Sequence, residues 1–230
     1  MTPRFLIDVF VWLLLWLAGW GLYGLMLRRQ VNYVQRFPIT AVYFLTLSVL
    51  VTILFRGTFA QIATDFDFTP FIALALAYIA TIALYYLSHK YLNEPKRLMS
   101  MNPNEFFLTL DYRYLTSKSF ELLFQQVMIV LLILTIHRAT TTMINVMIIY
   151  GVIFASAHLP IYPLIGTKAR IFKLVYFVAS ITSAIVFPLL ILRVSYGFVY
   201  SYIIHLSFYT LSGLFFWGRN TVLSDKVRPR

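Results

Sequence analysis

The chain has 230 residues, 60% of them hydrophobic and 12% charged, with a mean hydropathy of +0.80 and a formal net charge of +11. A water-soluble domain of this size cannot hide so much apolar surface, so lipid must be the solvent for much of it. The absence of cysteine excludes disulfides, thiolate chemistry and cysteine-ligated metals.

A helix needs about 20 mostly apolar residues to cross a bilayer core of about 30 Å. Seven runs answer that description, at 5–26, 37–55, 70–88, 120–136, 143–158, 171–193 and 196–217. They are continuously apolar, whereas barrel strands alternate apolar and polar over about ten residues. The first run is too long for a signal-peptide core and its positive charge follows it, so it reads as a retained span. The fourth and fifth are short, which predicts helices shielded by neighbours or reaching part of the depth. Between the third and fourth lies the long connection 89–119. Its second half, "FFLTLDYRYLTSKS", interleaves aromatic and basic residues and is expected to lie on the membrane surface. The predicted fold is an all-α polytopic bundle in one membrane domain, 1–230.

The basic residues set the orientation. Fifteen of nineteen fall on one side: Arg28, Arg29 and Arg36; Lys90, Lys96, Arg97, Arg113 and Lys118; Lys168, Arg170 and Lys173; and Arg219, Lys226, Arg228 and Arg230. Arg4, Arg56, Arg138 and Arg193 fall on the other. Cytoplasmic loops carry the Lys/Arg excess, which places the N-terminus outside and the C-terminus inside. Positive charge dispersed over loop ends fits anionic headgroups, not a nucleic acid.

Most acids are loop or span-end residues: Asp8, Asp65, Asp67, Glu94, Glu105, Asp111 and Asp225. Glu121 is different because it opens the fourth span. Among the histidines, His89 and His137 read as interfacial, His158 closes the fifth span and His205 lies within the seventh. The predicted directions of these spans let Glu121, His158 and His205 meet in the inner half of the bilayer. One hydrated pocket there costs less than three separate burials in hydrocarbon. Ser201, His205, Tyr209 and Ser212 form a polar stripe on one helix face, and Glu121 with Gln125, like Phe154 with His158, are one turn apart. Hydrogen-bonded packing between helices produces the same stripes.

At these positions the chain resembles the CAAX prenyl protease and bacteriocin-processing (CPBP, Abi) family of intramembrane proteases. Its EExxxR motif is matched by "FELLFQQ" at 120–126, its FxxxH motif by "FASAH" with Phe154 and His158, and its HxxxN motif by "HLSFY" with His205 and Tyr209. The similarity spans about 105–217. It implies an endopeptidase in which Glu121 and His158 activate a water while His205 and Tyr209 stabilise the oxyanion. Gln125, Phe154 and Ser201 would line the cavity, and peptide, prenylated or leader-peptide substrates would enter from the inner side. Phe120 stands where the family has its first glutamate, Gln125 where it has arginine, and Tyr209 where it has asparagine. A catalytically inactive relative that binds peptides or scaffolds a membrane complex is the alternative. The family's breadth and the compact loops point to a bacterial inner membrane. No cofactor is implied, although Glu121, His158 and His205 form a possible zinc set. A retinal protein is excluded, since 196–217 contains no lysine for a Schiff base. A transporter stays open as a further reading, although neither an inverted repeat nor paired broken helices is found.

Overall fold

In hydrocarbon a backbone amide has no water to bond, so each apolar run must satisfy its own N–H and C=O groups as a helix. The computed structural model describes residues 3–62, 67–92, 111–140, 142–158 and 170–225, without the side chains of 158, 170–176 and 216–225. Among the described residues the regular structure is helical, with no strand. In chain order the helices are α1 (Pro3–Arg28), α2 (Phe37–Leu54), α3 (Arg56–Phe59, followed by the 3-10 turn Ala60–Ile62), α4 (Thr69–Tyr91), α5 (Tyr112–Ala139), α6 (Met143–His158), α7 (Arg170–Arg193) and α8 (Gly197–Asp225).

Each predicted span coincides with one of the longer helices. Five, α1, α2, α4, α5 and the Gly197–Phe215 part of α8, are long and apolar enough to cross a membrane. The described apolar stretches of α6 and α7 are shorter. Outward faces carry large apolar side chains such as Leu6, Phe10, Ile53, Ile79, Ile148, Val152 and Leu211, as lipid-facing helices should.

The bundle is organised around α5. It packs against α1, α2, α6, α7 and α8, while α6 pairs with α7 and α4 lies on α8. Residues 126–134, "QVMIVLLIL", have no polar face after Gln126, and a helix that is apolar all round belongs inside. Val130, Leu132 and Ile133 are fully buried. Tryptophan N–H groups lock α1 into this arrangement. Trp12 donates to the Met128 carbonyl of α5 at 2.7 Å. Trp16 donates at 3.2 Å to the Ala157 carbonyl in the last turn of α6, where carbonyls lack helical partners. The α1–α5 contact is close because Gly19 permits it: a Cβ there would lie 2.9 Å from Phe124 Cζ.

The structure corrects the start of the fourth span. It begins at Tyr112, not 120, so 112–119 are the first two turns of α5 and not a separate surface segment. Asp111 caps those turns, accepting from the Arg113 backbone N–H at 2.7 Å. The helix of the expected fourth span is therefore long, at 28 residues, and shielded on nearly every side; α6, where the fifth was expected, is short at 16.

Candidate functional site

The site is built on the first half of α5. Glu121 and Lys118 are 0% and 1% exposed, and the Lys118 Nζ donates to Glu121 Oε1 at 2.7 Å. Gln125, one turn further on, donates its Nε2 to the same oxygen at 2.5 Å. The other oxygen accepts from the Tyr33 hydroxyl. Three donors on one carboxylate are what a buried charge requires.

Tyr33 comes from the turn between α1 and α2, and local sequence explains why it points inward. Asn32 Oδ1 accepts from the backbone N–H groups of Val34 and Gln35 at 3.0 and 2.8 Å, an Asx turn that reverses the chain. Gln30 takes the left-handed conformation with φ 59°. Thr40 Oγ1 donates to the Asn32 carbonyl, and Ser117 Oγ lies 3.2 Å from the carbonyls of both Tyr33 and Phe37. The turn is thereby fastened to α2 and to the first turns of α5.

On the opposite side the Lys118 Nζ rests 3.9 Å from the centre of the Tyr209 ring of α8, with the Tyr33 ring at 5.7 Å. Tyr209 in turn stacks obliquely on His205, ring centroids 5.4 Å apart, and His205 meets Phe187 of α7 at 5.8 Å. Glu121, Lys118, Tyr209 and His205 thus form one continuous cluster across α5 and α8. These helices run antiparallel, because Ser201 pairs with Gln126 while Tyr209 pairs with Lys118.

Of the expected site residues, Glu121 touches Gln125 on α5 and His205 touches Tyr209 on α8, and Lys118 bridges the two pairs. Ser201 sits a little apart: its Oγ accepts from Gln126 Nε2 at 2.5 Å and donates to the Phe198 carbonyl at 2.9 Å, so it fastens α8 to α5 and does not touch Glu121. Phe154 packs in the aromatic core, 5.9 Å from Trp16, which itself stacks on Phe124 at 6.3 Å. His158 ends α6, and its side chain lies outside the described residues. Glu121 occupies a packed, fully enclosed site, where a hydrated pocket was expected.

Lys118 and Tyr33 are the members that sequence reasoning missed. Lys118 was grouped with loop cations, although its i,i+3 spacing to Glu121 on a helix was the available signal. Tyr33 carried none, since nothing local marks a loop tyrosine as the partner of a carboxylate 88 positions away.

Among the described residues no group of three His, Asp or Glu side chains could hold a metal. A zinc ion at Glu121 would have to displace the Lys118 ammonium, and the Glu121–His158–His205 set has one member outside the described side chains. No family model, curated protein or solved structure matches the chain.

Proposed function

We propose that this chain is a seven-span membrane protein, N-terminus outside and C-terminus inside. We read it as an inactive relative of the CPBP family that binds peptide segments or scaffolds a membrane complex. The occupied carboxylate carries this reading. A general base needs a lone pair within about 3 Å of the water it activates. Both Glu121 oxygens already accept from Lys118, Gln125 and Tyr33, and the residue has no exposed surface. Phe120 and Gln125 add to this, since the family's first glutamate and its arginine are absent at those positions. The orientation rests on the fifteen-to-four distribution of basic residues, with Arg28, Arg29 and Arg36 exposed at the turn after α1.

One observation favours a second reading, a working endopeptidase. The acid of α5 and the imidazole of α8 are joined through Lys118 and Tyr209, as a water-activating and oxyanion-stabilising pair of half-sites would be. The deciding experiment incubates the protein in proteoliposomes with prenylated, leader-type and transmembrane test peptides. The inactive reading expects no fragments beyond those formed with Glu121→Gln, and peptide cross-linking that survives that substitution. Cleavage lost in both Glu121→Gln and His158→Ala establishes the endopeptidase instead.

A further inference from the structure

Lys118 and Gln125 lie on the same face of α5, one turn before and one turn after Glu121, and both donate to the same oxygen. A lysine near a helix end ordinarily extends its ammonium to the water interface. Lys118 does not; its side chain is 2% exposed and turns into the bundle. An ammonium taken out of water must recover its solvation from what surrounds it. Those surroundings include one carboxylate oxygen at 2.7 Å, the face of Tyr209 at 3.9 Å and the Tyr33 ring at 5.7 Å. Ring faces attract cations, most strongly where water is excluded.

We propose that Lys118 is the positioning cation of this site. It keeps Glu121 ionised inside the bundle and leaves the second carboxylate oxygen for the Tyr33 hydroxyl. By resting on Tyr209 it also ties the acid of α5 to the histidine-bearing helix α8. One group thereby links the α1–α2 turn, the central helix and α8. The counter-charge can also be supplied from the other side. Gln125 Nε2 already stands at the oxygen that Lys118 uses, so a guanidinium at 125 is directed to the same oxygen. The inference rests on the ion pair and not on the functional reading above; its outcome is the same whether or not the chain cleaves peptides.

The test is infrared spectroscopy of the full chain in lipid nanodiscs at neutral pH. A buried protonated carboxylic acid has its own C=O absorption, and subtracting the Glu121→Gln spectrum assigns it. Wild type is expected to lack that band. Lys118→Met is expected to gain it, and Lys118→Met/Gln125→Arg to lose it again. A merely structural role for Lys118 would move stability without moving this band. Either a Glu121 band in wild type or an ionised Glu121 in Lys118→Met overturns the proposal. Should Lys118→Met fail to fold, Lys118→Gln/Gln125→Arg decides the matter. An ionised carboxylate in that variant supports the exchange of cations, and a protonated one refutes it.

Discussion

Two polar seams hold α8 in this bundle, and they use different chemistry. The seam with α5 carries a full charge pair within α5, Lys118 and Glu121, which Tyr33 and Gln125 hold and which meets α8 through the Tyr209 ring. Among the described residues, the polar contacts of α8 with α4 are between hydroxyls. The Tyr78 hydroxyl of α4 lies 2.5 Å from that of Tyr202, whose own proton goes to the Ser119 carbonyl of α5 at 2.9 Å, so Tyr78 donates to Tyr202; Thr81 and Thr210 approach at 3.4 Å. A serine or threonine hydroxyl in lipid can fall back on its own helix: Ser88 and Thr210 already donate to the carbonyls of Leu84 and Leu206. A charge has no such fallback. The α5 seam therefore specifies one arrangement, whereas loss of a neutral contact in the α4 seam leaves no orphaned charge. This agrees with α4 having 17% of its span window buried and α5 having 83%.

The largest way to break this contrast is to orphan one charge. Glu121→Leu alone leaves the Lys118 ammonium buried without its anion, and about 3–5 kcal/mol of stability should be lost. Reversible unfolding in mixed micelles measures it. A cost below that of any α4-seam substitution would erase the distinction. Next comes Tyr33→Phe, which removes a hydrogen bond to a charged group and should cost roughly 1.5–3 kcal/mol in the same assay. Because the ring remains, its contact with Tyr23 at 5.4 Å survives and the loss reports the hydroxyl.

The same helix offers a solvated control. Partial burial pushes the Asp111 carboxyl up, but hydrogen bonds from the Arg113 side chain and backbone and the guanidinium charge outweigh it, leaving the group below the ordinary carboxylate range. A lowered folded-state value means that its contribution is present at neutral pH. It is lost as the pH falls below the ordinary value of about 3.9 and through the lowered one. Asp111→Ala should cost about 1 kcal/mol at neutral pH, as loss of an N-cap does, and the deficit should vanish in acid. The smallest effect is expected at Tyr78→Phe, about 0.6 kcal/mol, typical of interhelical hydrogen bonds in membranes. Comparable losses for Tyr78→Phe and Tyr33→Phe would show that the two seams do not differ.

The contrast also explains what could be read from the chain alone. Lipid demands long apolar helices, so all seven apolar runs and the Glu121–Gln125 and His205–Tyr209 spacings were legible. The first two turns of α5 were not. Tyr112, Arg113, Thr116 and Ser119 face outward or are half-buried, and they give 112–119 the composition of a surface segment although Tyr114, Leu115, Ser117 and Lys118 point in. Lys118 was hidden by a rule that holds for most lysines, that cations between spans belong to water. Tyr33 was hidden because its role depends on a tertiary contact between a turn and a helix far along the chain. Residues that act through charge compensation are legible only in pairs, and only one member of this pair announced itself.

The account turns on whether Lys118 and Glu121 act as a unit. A double-mutant cycle with Lys118→Met, Glu121→Leu and the combined variant, read by reversible unfolding in bilayer-like micelles, measures this directly. The account predicts that the double variant is more stable than either single one, because a buried pair replaced by apolar side chains leaves no orphaned charge. Additive losses in the double variant would contradict it.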